Sequence, residues 1–220
     1  MRLLAIDTAL AACSAAVFDT DAGMLASETL LMQRGHAEAL MPQIARVMAK
    51  AAIDYAALDR IAVTVGPGSF TGLRVGVSAA RGLALAARKP AVGVSTLTAM
   101  AMPFVDDNSL PIVVAIDARN DLAYMQAFGE LGRDLNAARI GPLHTAFDEV
   151  PEGAVILVGS AAAKISALRL RIASVKPSDS SDIAWVAALG ATASEEVPPK
   201  PLYLRPPDAK PQQIGHLLQK

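Results

Sequence analysis

The chain has 220 residues, of which 53% are hydrophobic and 19% are charged, and this composition excludes an intrinsically disordered chain. Its 20 basic and 21 acidic residues give a net charge of −1, so the chain as a whole does not attract nucleic acid, although a local basic patch would be compatible with it. Aromatic residues make up only 4%, which predicts a core in which backbones approach one another closely.

The single cysteine, Cys13, indicates a reducing compartment, and we predict a cytoplasmic location. The string Leu10-Ala11-Ala12-Cys13 resembles the tetrapeptide before a lipidated cysteine in bacterial lipoproteins. A signal peptide needs an unbroken apolar run, however, and Asp7 interrupts the run here, which favours a small buried cysteine. The longest apolar stretch, 90–105, contains polar residues, so no membrane span and no membrane partner are predicted.

The first half of the chain predicts an α/β unit. Short apolar runs between turn residues predict strands, and apolar residues spaced three and four apart predict helices. The predicted strands are Leu3–Asp7, Cys13–Phe18, Met24–Leu31, Ile61–Val65 and Ala91–Val94, and the predicted helices are His36–Ala52 and Leu73–Arg88.

The second half repeats this order, which predicts a duplicated α/β fold. Ala5-Ile6-Asp7 recurs as Ala115-Ile116-Asp117, again at the end of an apolar run. Each half is expected to hold three strands, then a helix, a strand and a helix, with a mixed sheet in each lobe. The further predicted elements are strands at Leu122–Phe128 and 155–159, and helices at Ser160–Leu168 and Ser181–Ala193, the last with Ser181 or Asp182 as N-cap.

These patterns predict three regions. Residues 1–105 form an N-terminal lobe and residues 106–197 a C-terminal lobe. Residues 198–220 form a tail that contains 6 of the 14 prolines, which predicts extended or mobile backbone.

A glycine-rich string, Gly66 to Gly76, joins a predicted strand to a predicted helix, where free backbone N–H groups can bind an anion. It does not fit a Walker loop or a dinucleotide fingerprint, because Leu73 and Thr71 stand where those motifs need lysine and glycine. It does not fit a hydrolase elbow around Ser69 either. A structural turn and a binding surface both stay open. The candidate residues are Gly66, Gly68, Ser69, Phe70, Thr71 and Arg74.

Small residues line one face of the helix that follows this string. Gly76 and Gly82 each cost about 1 kcal/mol in a helix interior, so something should gain from their lack of a side chain. Packing against the chain's own sheet and docking of a partner helix are both open. The residues along this face are Gly72, Gly76, Ala79 or Ala80, Leu83 and Ala87.

Charged and aromatic residues give weaker signals. Arg74 and Arg81 share a helix face. Their charges are either solvated, which is the default, or placed to bind an acidic partner. Tyr203, Arg205 and Lys210 could contact RNA by stacking and through phosphates.

Asp7 and Asp117 stand at equivalent strand ends that face the cleft of a duplicated fold. They could hold a metal or orient a water, but neither has a second carboxylate nearby, and turn-capping is favoured. The three histidines, His36, His144 and His216, are too scattered for a local metal motif. We predict no catalytic residue and no metal site.

Four strings together resemble the bacterial TsaB (YeaZ) family, and the resemblance covers nearly the whole chain. They are Leu4-Ala5-Ile6-Asp7-Thr8, the string Gly66 to Gly76, Gly93-Val94-Ser95-Thr96-Leu97 and Pro201-Leu202-Tyr203-Leu204-Arg205. The resemblance implies a duplicated fold of the actin/Hsp70/sugar-kinase (ribonuclease H-like) type. It also implies a role in making threonylcarbamoyladenosine in tRNA, as a non-catalytic partner of TsaD, the paralogue that transfers the threonylcarbamoyl group.

The resemblance implies that ATP and metal belong to the partners TsaD and TsaE, the latter an ATPase, and that this chain holds no cofactor alone. Ser95-Thr96-Leu97-Thr98-Ala99 lacks the histidine pair that TsaD places after the matching strand, and Asp7-Thr8-Ala9 lacks the glycine of a phosphate loop. tRNA is expected only as part of the complex. Two alternatives are an independent hydrolase, with Ser69 or Asp7 acting, and a stand-alone nucleotide-binding protein.

The resemblance also implies where the partner docks. In this family the two helices that match His36–Ala52 and Leu73–Arg88 meet TsaD, or a second copy of the chain in a homodimer. The interface set inferred for this chain is Leu40, Ile44, Gly72, Gly76, Ala79, Ala80 and Leu83.

Overall fold

A computed structural model describes residues 1–105, 110–168 and 172–205. The described residues form two five-stranded mixed sheets with five helices. The strands are β1 Arg2–Asp7, β2 Ala12–Asp19, β3 Gly23–Leu31, β4 Arg60–Gly66, β5 Ala91–Ser95, β6 Ile112–Asp117, β7 Leu122–Phe128, β8 Arg139–Pro142, β9 Val155–Val158 and β10 Ile172–Lys176. The helices are α1 His36–Ala51, α2 Phe70–Ala87, α3 Thr96–Ala101, α4 Ala162–Ser166 and α5 Ile183–Thr192.

The two sheets have the same topology, which confirms the predicted duplication. The first has the order β3-β2-β1-β4-β5 and the second the order β8-β7-β6-β9-β10. In each sheet the first strand pairs antiparallel with the second and parallel with the fourth. Asp7 and Asp117 therefore end equivalent central strands, and the fold is the duplicated actin/Hsp70/sugar-kinase type.

The second lobe departs from the predicted repeat in one element. After β8, where the first lobe has α1, the segment 143–154 contains a 3₁₀ turn, Leu143–Thr145, and no α-helix. The segment joins β8 to β9, and Pro151 and Gly153 near its end oppose a helix. α4 is likewise shorter than the predicted Ser160–Leu168.

Two helices contact the sheet of the opposite lobe. α5 lies on the first sheet, where Ile183, Val186 and Ala187 are buried against β1, β4 and β5. α3 lies between the two sheets, because Leu97, Met100 and Ala101 join the core of the second sheet and Ala99 joins the core of the first. The prediction that residues 106–197 form one lobe is therefore wrong for α5. The reason is that the apolar residues of α5, among them Ile183, Val186 and Ala187, are buried by packing on the first sheet.

Arg60 holds the end of α5 in place from β4. Its Nη1 donates to the carbonyl oxygens of Gly190, Ala191 and Ala193 at 3.0–3.2 Å, and its Nη2 donates to Glu195. These carbonyls have no partner further along the helix, and a guanidinium next to them also offsets the helix dipole.

The described part of the tail, 198–205, forms no helix or strand and crosses from one lobe to the other. The Leu202 N–H donates to the Val65 carbonyl at 2.7 Å, next to the end of β4. Arg205 Nη1 donates to the Ala118 carbonyl at 3.1 Å, just after β6. The rest of the predicted tail, 206–220, lies outside the described residues.

Cys13 is fully buried in β2, which confirms the reading as a small core residue. Burial raises the pKa of its thiol to about 11. Among the described residues no helix combines the length and the apolar character needed to cross a bilayer.

Candidate functional site

The glycine-rich string closes over the turn that follows β1. The Ser69 N–H donates to the Ala9 carbonyl at 2.7 Å, and a Cβ at Gly68 would overlap that same oxygen. Ser69 is also the N-cap of α2, because its Oγ accepts from the Gly72 N–H at 3.3 Å. In this structure the string is therefore a structural turn that fills the position after β1.

Gly66, at the start of the string, needs to be glycine for two reasons. Its φ of +113° lies in the region that disfavours side chains, and a Cβ there would stand 2.9 Å from the carbonyl oxygen of Leu202 in the tail. The other residues of the string lie further out. Thr71 and Arg74 are exposed and Phe70 is half-buried.

Thr8 occupies the place that small residues on α2 leave free. Its Oγ1 donates to the Gly72 carbonyl at 2.7 Å. A Cβ at Gly72 would overlap the Thr8 carbonyl oxygen, and a Cβ at Gly76 would overlap the Thr8 hydroxyl. Both glycines are thus explained by contact with the end of β1.

The interface set needs correction for this reason. Five of its seven residues are buried in the chain's own core, since the stripe of small residues on α2 faces the sheet rather than solvent. They are Leu40, Ile44, Gly72, Gly76 and Ala80. Ala79 and Leu83 are half-buried at the edge of the same core.

Asp7 is a buried acceptor for three donors. Its Oδ1 accepts from the Thr64 hydroxyl at 2.7 Å and from the Ala9 N–H at 2.9 Å. Its Oδ2 accepts from the Ser181 hydroxyl. With 2% of its surface exposed, the carboxylate joins β1, β4 and the segment before α5. Asp182 caps α5, which leaves Ser181 for this contact.

Asp117, the counterpart of Asp7 in the second lobe, lies in a different environment. Its carboxylate accepts from Lys164 Nζ at 2.6 Å and from the Arg119 N–H at 2.8 Å, and 29% of its side chain is exposed. The hydrogen bond from Lys164 lowers the pKa of this carboxyl. The two cleft aspartates therefore share a position in the fold but not a set of partners.

The tail builds a cluster with the first turn of α2 that the sequence did not reveal. Arg74 Nε donates to the Tyr203 hydroxyl at 3.1 Å, and the Arg74 guanidinium carbon lies 3.9 Å from the centroid of the Phe70 ring. The Phe70 and Tyr203 ring centroids are 5.0 Å apart. These residues are up to 133 positions apart in the sequence, and they meet only because the tail folds back onto α2. Within the described residues no group of three or more His, Cys, Asp or Glu side chains is placed to share a metal ion.

Known proteins similar to this chain point to one family. A family model described as TsaD, tRNA N6-adenosine threonylcarbamoyltransferase, matches residues 28–183. An uncharacterised protein of Mycobacterium tuberculosis is 35% identical over 95% of this chain and 94% of that protein. The solved structure of YeaZ from Pseudomonas aeruginosa superposes with a TM-score of 0.81 at 25% identity, over 92% of this chain and 99% of that one. The chain belongs to the TsaB (YeaZ) family.

A relative with the TsaB name matches over a shorter length. The tRNA threonylcarbamoyladenosine biosynthesis protein TsaB of Escherichia coli is 37% identical over 137 residues, which are 62% of this chain and 57% of that protein.

In this TsaB-family chain, α1 and α2 pack side by side and expose a surface of small and apolar residues. Met41 and Leu85 are its large members, with 46% and 81% of their surface exposed. A Cβ at Gly82 would meet no atom of the described residues within 4 Å, so packing within this part of the chain does not explain the glycine. The α1–α2 outer face consists of Ala37, Met41, Ala45, Ser78, Gly82, Leu85 and Ala86.

Proposed function

We propose that this chain is a non-catalytic docking subunit of the complex that makes threonylcarbamoyladenosine in tRNA. In this proposal it binds and positions a TsaD-type transferase, which TsaE joins, and those partners supply the ATP and metal chemistry. The proposal is supported by the family, whose named relatives carry this biosynthetic role, and by the α1–α2 outer face.

The observation that carries the docking proposal is Gly82. A glycine inside an exposed helix costs about 1 kcal/mol relative to alanine, and Gly82 gains no close internal contact in return. Close approach of a second helix would use the missing side chain, because small residues allow backbones to pack closely. Leu85, one turn further along, gives the same surface a large exposed apolar side chain.

The same face can also serve a homodimer. A two-fold dimer would use the identical patch on both copies and would therefore compete with the transferase for it. Rising concentration of the transferase is expected to convert homodimer into heterodimer.

We expect Gly82→Arg to abolish co-elution with the transferase, because a long charged side chain would stand where the partner helix approaches. Size-exclusion chromatography of the mixed proteins measures this loss. Gly82→Ala is the matched control for folding, and both variants are expected to keep the circular dichroism spectrum, since the site is open. Unchanged co-elution of Gly82→Arg would contradict docking through this face.

The non-catalytic part of the proposal is supported by the filled turn after β1. A nucleotide phosphate at this end of β1 would have to displace the contacts that Gly68 and Ser69 make with Ala9. Calorimetric titration of the isolated chain with ATP is expected to give no tight binding. A Kd below about 10 μM would support the stand-alone nucleotide binder instead.

A hydrolase would need a free nucleophile or base. Ser69 caps α2 and Asp7 accepts from three donors, so neither is arranged for such a role. Turnover of a peptide by the purified chain, lost on Ser69→Ala, would overturn this reading.

A further inference from the structure

Three arginines follow one another along a single flank of α2 and its C-cap. Arg74, Arg81 and Arg88 are each seven residues apart, so about 10 Å separates neighbours along the helix and about 21 Å separates the first from the last. All three are exposed. α2 itself contains no acidic residue, so no charge within the helix offsets them. We call these three residues the arginine flank.

The side chains of this flank are available to an anion. Among the described residues, Arg81 and Arg88 form no ion pair, and Arg74 uses its Nε on Tyr203 while both Nη atoms stay open. A cavity of about 450 Å³ lies between α2 and the tail, and none of the described residues that line it is acidic. Its lining residues are Arg74, Val77, Ser78, Arg81, Pro201 and Tyr203.

A second cavity, of about 460 Å³, continues from Arg81 toward the end of α2. Glu195 is the acidic residue in its lining, and this carboxylate is bonded to Arg60. The positive charge of Arg81 is therefore not cancelled from this side.

An aromatic surface stands at the start of the arginine flank. Tyr203 packs against Phe70 and is still 41% exposed. The Arg74 guanidinium lies against the Phe70 ring, which holds this long side chain in one orientation before any ligand binds. Arginines beside an exposed aromatic ring are typical of surfaces that bind phosphates and stack a base.

We propose that the arginine flank and Tyr203 bind the phosphate backbone of RNA, with Tyr203 stacking on a base. This inference rests on the proposed function in one respect, namely that the RNA is the tRNA substrate of the complex. RNA is favoured over an acidic protein because the arginines form an extended row with an aromatic ring beside its first member. An acidic protein surface needs the charges but has no use for the ring.

The arginine flank and the α1–α2 outer face can act at the same time. At about 100° per residue, Arg74 and Arg81 lie roughly 80–100° around the helix axis from Gly82. Leu85 of the same face lies only about 20–40° from these arginines, so a partner helix centred over Gly82 would border the arginine flank along Leu85. In the assembled complex this chain would extend the RNA-binding surface of its partner.

Fluorescence anisotropy with labelled tRNA and with a labelled single-stranded RNA tests the proposal on the full chain. We expect the double variant Arg74→Ala/Arg81→Ala to bind about 25-fold more weakly at about 0.1 M salt, which corresponds to two lost phosphate contacts. For the single-stranded RNA, the slope of log affinity against log salt should fall by about 1.4. Tyr203→Leu should weaken binding without changing that slope, because stacking releases no counterion.

Arg34→Ala/Arg133→Ala is the matched control, since it also removes two positive charges from exposed positions, neither of them on α2, and should leave RNA binding unchanged. Absence of RNA binding by the wild-type chain, or an unchanged salt slope in the double variant, would overturn the proposal. So would loss of transferase co-elution in the double variant together with unchanged RNA affinity, because the flank would then dock protein.

The same variants separate this proposal from the docking proposal. Gly82→Arg should lose the transferase without weakening RNA binding, since the added charge is positive, and the double arginine variant should weaken RNA binding while keeping the transferase. RNA binding that depends on the arginines in a chain that never binds the transferase would support the inference and refute the proposed function.

Discussion

Gly72→Ala is expected to destabilise the fold by about 3 kcal/mol or more, whereas Gly82→Ala in the same helix is expected to stabilise it by about 0.5–1 kcal/mol. The new methyl at position 72 would overlap the Thr8 carbonyl oxygen, which is backbone and held in the turn after β1. The methyl at position 82 meets open space, so only the better helix propensity of alanine counts. Urea denaturation followed by circular dichroism measures both changes.

The pair of variants also decides what the glycines of α2 are for. If both alanine variants were equally stable, Gly72 would not be required by packing, and its role in docking would have to be reconsidered. A similar m-value for both proteins is the control that they unfold from the same compact state.

Sequence periodicity predicted the face of small residues on α2, but not whether that face packs on the chain's own sheet or is open to a partner. Gly72, Gly76 and Ala80 form a regular stripe, and such a stripe fits a neighbouring sheet as well as a partner helix. What decides between them is Thr8, which is 64 residues earlier in the chain than Gly72 and lies next to it because β1 pairs with β4. Only the folded structure brings Thr8 and Gly72 together. Gly82 was also predicted to be a costly glycine inside the helix, and it is the glycine of α2 that contacts with the described residues do not explain.

The duplicated sheets could be predicted because each lobe repeats its order of apolar runs. β7 was predicted with its observed bounds, and β1, β2 and β4 within one or two residues. The placement of α5 on the first sheet and of α3 between the two sheets could not be predicted, since apolar faces show that a helix is buried but not which sheet buries it. The same limit applies to the tail, whose contact with Arg74 joins distant residues.

The recurrence of Asp7 as Asp117 was correctly found in the sequence, and both residues end equivalent strands. Their environments differ because the partners come from elsewhere in the chain. Ser181 stands 174 residues after Asp7, and no local pattern connects them. Strand-end position alone therefore predicted the location of a carboxylate but not its role.

Asp7→Ala is expected to lower the free energy of unfolding by about 3–5 kcal/mol, because it leaves two buried hydroxyls and one buried N–H without their acceptor. Asp117→Ala is the matched control from the second lobe. Its carboxylate is partly exposed and paired with a surface lysine, so the expected loss is below about 1 kcal/mol. Asp7→Asn should lie between them, since an amide oxygen in the place of Oδ1 can still accept from Thr64 and Ala9, whereas Ser181 loses its carboxylate acceptor.

These three variants distinguish a structural aspartate from a chemical one. A structural Asp7 predicts that stability falls in the order Asp117→Ala, Asp7→Asn, Asp7→Ala, and that transferase binding is retained by whatever fraction stays folded. A chemical Asp7 predicts the opposite pattern, in which Asp7→Asn stays as stable as the wild type but the reconstituted complex loses its activity. Because Asn nearly preserves the shape of the side chain, that second result could not be attributed to misfolding, and it would refute the non-catalytic role proposed for this chain.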